Sequence, residues 1–244
     1  MNDLRLDGVA MAFGAHRVLD GISFAIAEAQ VCGMIGPNGA GKSTLVNVLG
    51  GVYQPTGGAV LLGGERIDGL PPFEIARRGL GRTFQVPRAF RRMTVLENLL
   101  VPGLAKPHRA PRGQLAEQAW RALELLGIDH LAHEYARALS GGQLKLLELA
   151  RLIVLDPPIL LLDEPFAGVH PKLREHIHAF IRQQREEGKA FVIIEHDMGT
   201  IFRISERLLV LAGGRLIADG RPDLLRHDPR VIEAYLGKDG DGDS

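Results

Sequence analysis

Gly36-Pro37-Asn38-Gly39-Ala40-Gly41-Lys42-Ser43 decides how the rest of this chain is read. It has the form G-x-x-x-x-G-K-S, entered from the apolar run Val31–Ile35 and followed by a helix-compatible stretch over residues 43–49. A strand, a glycine-rich turn and a helix start in that order gather backbone N–H groups around one point. The helix N-terminus adds its partial positive charge there. Such a cradle suits phosphate, with Lys42 to neutralise β- and γ-phosphates and the Ser43 hydroxyl to reach Mg²⁺. Alone, the stretch is also compatible with a plain glycine-rich turn. The strand before it and the helix after it favour a triphosphate site.

The chain has 244 residues, room for one good core with a small inserted subdomain. A hydrophobic share of 45% and a charged share of 24% are those of an ordinary soluble globular protein. Lys+Arg and Asp+Glu balance at 29 each, so no global field draws nucleic acid or an anionic bilayer. Cys32, the single cysteine, forms no internal disulfide; it reads as a small buried apolar residue compatible with a reducing compartment. The first six residues include Asp3 and Arg5 and lack an apolar signal core. The longest apolar region, 152–162, is broken by Asp156, Pro157 and Pro158, so no membrane span is expected.

Working outward, Leu4–Phe13 alternates as a strand, with a second strand at 23–27 after a turn at Asp20-Gly21. Val31–Ile35 is apolar throughout, as a central parallel strand is. Residues 60–62 and 65–67 flank Gly63-Gly64 as a hairpin, Pro71-Pro72 opens a short helix, and 81–85 reads as a strand. From 86 to 138 the texture is helical around 95–101 and 114–126, with a loop at Pro102, Gly103, Pro107, Pro111 and Gly113. A helix starting at Ser140 closes this insertion. Strands at 159–162 and 191–194 flank a helix at 171–187, and a hairpin turns at Gly213-Gly214. An amphipathic piece at 231–236 precedes a polar acidic tail, 238–244, expected to be disordered.

Two further motifs carry chemistry. Asp163 and Glu164 end the apolar run that starts at Ile159, at the edge of a parallel sheet where ligands collect. Asp163 suits Mg²⁺ as a hard oxygen donor, and Glu164 suits the attacking water as base or positioner. By itself the pair also fits a solvated acidic turn. Leu139-Ser140-Gly141-Gly142-Gln143 offers a Ser N-cap and two glycines ahead of a mostly apolar helix, leaving bare N–H groups for an anion. A simple capped helix is the competing reading.

Together and in this order, these motifs resemble the ATP-binding cassette family, the nucleotide-binding subunits of ABC transporters, across nearly the whole chain. Residues 139–143 match that family's LSGGQ signature in full. The resemblance implies ATP with Mg²⁺ held by Gly36, Pro37, Asn38, Gly39, Ala40, Gly41, Lys42, Ser43 and Thr44. It implies that Ser140, Gly141, Gly142 and Gln143 meet the γ-phosphate held by a partner cassette. Gln85 matches the glutamine that senses Mg²⁺ and faces the membrane partner. His196 matches the histidine that bridges the γ-phosphate and Glu164. Ser43, Gln85 and Asp163 become the metal set, and Glu164, His196 and Gln85 the catalytic one. Phe13 stands where the family has an aromatic for adenine, though a core role is open.

One departure concerns the segment after Glu164-Pro165, where the family usually ends a loop in Asp and this chain has Phe166-Ala167-Gly168-Val169-His170. That form resembles the branched-chain amino-acid importer branch, as do Gly81-Arg82-Thr83-Phe84-Gln85, Glu195-His196-Asp197-Met198 and Glu233-Ala234-Tyr235-Leu236-Gly237. Arg77, Arg78, Arg82, Arg88, Arg91 and Arg92 form a basic cluster around Gln85, either a solvated face or a dock for a permease loop. His170, His176 and His178 do not share one helix face and are not read as metal ligands.

The expected fold is α/β: a P-loop NTPase core with a parallel sheet, an N-terminal antiparallel β-subdomain and a helical subdomain inserted at about 86–155. It forms one domain over 1–237. The expected function is the ATP-hydrolysing subunit of an importer for branched-chain or related amino acids or amides. Expected partners are a second cassette, permease subunits and, indirectly, a substrate-binding protein, with no nucleic acid. Its expected place is peripheral, at the cytoplasmic face of the membrane. An export-type cassette, as for lipopolysaccharide, and a soluble non-transport ATPase are the alternatives.

Overall fold

A computed structural model describes residues 3–104 and 112–236. β1 (Leu4–Phe13) and β2 (His16–Ile26) each bury one side of their alternating pattern. The expected turn at Asp20-Gly21 is instead a bulge inside β2. Val9 faces Ile22 and Met11 faces Leu19, two residues against three, and Gly21 takes the extra one at φ +73°. β1 and β2 join β4 (Gly57–Leu62) and β5 (Glu65–Arg66) in an antiparallel sheet ordered β2-β1-β4-β5. Between them in sequence lie β3 (Val31–Ile35) and α1 (Lys42–Leu49).

α2 (Pro72–Arg77) leads into β6 (Leu80–Arg82), which stops three residues short of the expected end. After Arg82 pairs with Leu161, the Thr83 hydroxyl accepts from the Asp163 amide at 2.9 Å and a Glu148 oxygen takes the Phe84 amide at 3.1 Å. Side chains have replaced the ladder, so the strand ends. α3 (Val95–Leu104) runs through Pro102 and Gly103, where a loop was expected. A Cβ on Gly103 would sit 2.1 Å from Leu115 in α4 (Arg112–Leu125), so the close approach of the two helices holds this turn. Pro107 and Pro111 lie outside the described residues, as do Gly237 and the tail. α3, α4 and α5 (Gly141–Leu155) pack together through Val95, Leu99, Ala119, Leu123 and Leu146.

The larger sheet contains β7 (Ile159–Asp163), β8 (Ala190–Ile194), β9 (Arg207–Ala212) and β10 (Arg215–Gly220), in the order β10-β9-β3-β8-β7-β6. β6 to β9 and β3 run parallel, and β10 is antiparallel at the edge. Period-two alternation splits each central strand between two cores. Val31, Leu160, Leu162 and Ile193 face α6 (Pro171–Glu186), α7 (Met198–Ile204) and the helical insertion, while Cys32, Met34, Leu161 and Val192 face α1 and the antiparallel sheet. Cys32 is fully buried, and burial pushes its thiol up to about 12. α7 was not expected; Asp197 caps it, its carboxylate accepting from the Thr200 amide. Two short helices, α8 (Pro222–Leu225) and α9 (Pro229–Leu236), end the described chain. No helix among the described residues is long and apolar enough to cross a membrane.

Candidate active site

The carboxyl ends of β3, β8, β7 and β6 lie side by side, and the residues just beyond them line one edge of the sheet. After β3 comes 36–43, after β8 His196, at the end of β7 Asp163 and Glu164, and beyond β6 Gln85. A cleft of about 300 Å³ is lined by residues 38–44 with Val18, Gln85, Glu164, Ile194 and His196. The phosphate-loop, Gln85, Glu164 and His196 candidates therefore meet across the sheet.

Glycines shape the loop. Gly39 and Gly41 have φ +77° and +101°, and Gly41 is the N-cap of α1 with no side chain to cover the first turn. A Cβ on Gly36 would come within 2.2 Å of the Leu211 carbonyl oxygen, so that edge of the loop also admits only glycine. Lys42 is buried and arches back, its Nζ donating to the Gly36 and Pro37 carbonyl oxygens at 2.6 and 3.0 Å. The half-buried Tyr235 hydroxyl of α9 has the Gly36 backbone as its hydrogen-bonding neighbour, and burial raises its pKa.

His196 Nε2 lies 2.7 Å from Glu164 Oε1. Burial and the Glu164 charge together raise the Asp163 carboxyl above its ordinary range. Ser43 hydroxyl, Asp163 carboxylate and Gln85 amide oxygen are all hard oxygen donors at this edge, the chemistry Mg²⁺ takes. Asp163 is buried beside the Glu164 charge, and a cation at this edge would relieve the repulsion that raises its carboxyl.

Other candidates lie elsewhere. Phe13 is not a core residue: it is 46% exposed, with its ring edge-on to Tyr53 at 5.3 Å, and it does not line the cleft. Residues 140–143 do not line it either; Gly142 faces Val169 and Leu173. Ser140 and Gln143 form a reciprocal capping box, Ser140 Oγ accepting from the Gln143 amide and Gln143 Oε1 from the Ser140 amide at 2.8 Å. That narrows the bare donors to Gly141 and Gly142. His170 caps α6, His176 Nδ1 meets the Leu125 carbonyl, and His178 stacks on Phe166.

The arginine cluster divides rather than forming one face. Arg82 tucks under α1, donating to Val46 O and Asn47 Oδ1, and Arg78 pairs with Glu65. Arg82 and Arg88 both cover the Phe84 ring.

Sequence reading missed Thr83, Lys145, Glu148 and Glu195. Lys145, Glu148 and Arg151 recur every third residue on a helix otherwise read as apolar, a charged stripe that points to a purpose beyond packing. Lys145 Nζ donates to the Glu164 carbonyl at 2.5 Å, and Glu195 accepts from the Phe166 and His196 amides.

Two family models match: one described as ABC transporter over residues 19–167, the other as branched-chain amino acid ATP-binding cassette transporter over 215–241. The chain is 43% identical to the high-affinity branched-chain amino acid transport ATP-binding protein BraF of Pseudomonas aeruginosa, over 96% of this chain and 98% of that one. It superposes on the ADP conformation of an ATP-binding cassette of an ABC transporter with TM-score 0.85 and 35% identity, covering 98% of this chain and all of the other. A dimeric post-hydrolysis cassette bound to ADP and Pi matches at TM-score 0.81 and 26% identity, covering 90% and 98%.

Proposed function

The chain belongs to the ABC transporter family, and on that premise we propose that it is the ATP-hydrolysing subunit of an importer for branched-chain or related amino acids. The carrying observation is the 2.7 Å contact of His196 with Glu164 in the same cleft as the phosphate loop. In this reading the amides of 38–44 receive the β- and γ-phosphates of ATP, and Lys42 exchanges its carbonyl contacts for phosphate oxygens. Phe13, exposed on the rim of the β-sheet subdomain, offers its ring to adenine. Ser43, Asp163 and Gln85 would hold Mg²⁺, which when bound spreads charge over the phosphate oxygens.

Glu164 orients a water against the γ-phosphorus and takes its proton as the new P–O bond forms. The bond from γ-phosphorus to the β–γ bridging oxygen breaks, and ADP leaves with the electron pair. His196 fixes the Glu164 carboxylate and faces the γ-phosphate. Residues 140–143 lie outside the chain's own cleft, which suits their service to a second cassette. Closure of two cassettes on ATP and reopening after hydrolysis would drive permease subunits, placing the protein at the cytoplasmic face of a membrane.

A groove of about 350 Å³ lined by Phe73, Val101, Glu148, Arg151 and Phe84, the residue before Gln85, is the surface offered to the permease. Nothing in the balanced charge of the chain favours nucleic acid. The test is Glu164→Gln: it should bind ATP and elute as a stable dimer, with phosphate release slowed at least about a hundredfold. Hydrolysis at the wild-type rate would remove Glu164 from this role. Reconstitution with the cognate permease and leucine uptake tests the substrate class.

A further inference from the structure

Glu164 is one of three described non-glycine residues with positive φ, at +50°, a conformation its Cβ disfavours. Pro165 after it closes off the right-handed helical alternative. The turn it begins is tied on several sides. The Glu164 amide donates to Ile194 O at 2.9 Å, and the Glu164 carbonyl accepts from Lys145 Nζ at 2.5 Å. The Phe166 amide donates to Glu195 Oε1 at 2.8 Å, while Glu195 Oε2 accepts from the His196 amide at 3.2 Å. One buried carboxylate thus binds the backbone on both sides of the Glu164–His196 contact.

Burying these charges opposes folding. Desolvation lowers the Lys145 pKa and raises that of Glu195, which is only 4% exposed. An apolar side chain of similar volume would fill either place with less desolvation cost. Glu195, Glu164, Glu148 and Asp163 face Lys145, yet burial outweighs their pull, and what its ammonium grips is the carbonyl of the residue assigned to the attacking water.

We infer that Lys145 and Glu195 are positioning residues of the ATPase. They hold the turn that Glu164 begins, with Glu164 itself at positive φ, the conformation from which its carboxylate reaches His196. Through Lys145 this conformation is registered to α5, the helix whose N-terminus carries Ser140–Gln143. A shift of α5 relative to β7 then moves the carbonyl of Glu164, so the signature end and the catalytic carboxylate of one chain travel together. The inference rests on the assignment of Glu164 to the attacking water.

The experiment compares Lys145→Met, Lys145→Arg, Glu195→Gln and Glu164→Gln in the full chain by phosphate release, fluorescent ATP-analogue titration and thermal unfolding. Lys145→Met should lose at least about tenfold in kcat with KM and analogue affinity within about twofold, and Lys145→Arg should recover kcat to within about threefold. Glu195→Gln, nearly isosteric, should lose about fivefold in kcat alone. A folded Lys145→Met with wild-type kcat overturns the inference, as does a loss that falls equally on affinity and is not rescued by arginine. Should Lys145→Met fail to fold, Glu195→Gln decides, and unchanged kcat there overturns it. Glu164→Gln run alongside separates the two readings: its hydrolysing normally would remove Glu164 from the chemistry, whereas its being inactive beside a fully active Lys145→Met would remove only the brace.

Discussion

Lys42 is 6% exposed and its ammonium hydrogen-bonds two carbonyls of its own loop, so the charge is held in place before any nucleotide arrives. Exchanging carbonyl for phosphate oxygens turns neutral acceptors into charged ones. Each charge-assisted contact is worth about 1.5–3 kcal/mol, so Lys42→Ala should weaken ATP binding roughly ten- to hundredfold. Titration with a fluorescent ATP analogue measures this, and unchanged affinity would contradict the role of Lys42. Residue identities at this site were legible in the sequence because their spacing within a loop is local. The conformation of Glu164 was not, since nothing in Leu162-Asp163-Glu164-Pro165 spells a positive φ without the Lys145 and Glu195 contacts that stabilise it.

At the scale of elements, α5 carries two jobs at its two levels. Its N-terminus is a capping box, which fixes where the Gly141 and Gly142 amides point. Ser140→Ala removes the acceptor for the Gln143 amide and should cost about 1 kcal/mol of stability, read as a lower urea midpoint, while ATP affinity of the monomer stays unchanged. Retained stability together with lost hydrolysis would assign Ser140 to the partner's nucleotide alone. One turn further along, its charged stripe reaches the Glu164 carbonyl and the Phe84 amide. The helix itself was expected from its apolar content. Its stripe was passed over because the apolar residues around it make the helix read, in one dimension, as packing alone. The bulge in β2 was misread for a related reason: Asp20-Gly21 satisfies local turn chemistry, and only pairing with β1 on both sides shows that the strand continues.

For the whole molecule, burial of Glu148 links stability to pH. Desolvation pushes its carboxyl up to about 7, against the pull of the Phe84 amide and Arg151. Between the ordinary glutamate range and 7, the folded chain keeps a proton that the unfolded chain has released. Stability from this group therefore falls as pH rises through that window, by up to about 3 kcal/mol. Glu148→Gln keeps an acceptor for Phe84 and removes the titration, so its urea midpoint should gain on wild type between pH 5 and pH 8; parallel midpoints would refute the shift. By itself the sequence determined the phosphate loop, the signature, most of the order of strands and helices and the family, because each is written in local spacing or composition. Tertiary structure alone decided that β3, β8, β7 and β6 are neighbours, which brings residues 43, 196, 164 and 85 to one cleft. A run such as Ile159–Asp163, buried on both faces, favours a central strand but carries no mark of which strands will flank it. That choice is made by two cores packing at once on opposite faces of the sheet, a non-local condition no single stretch can state.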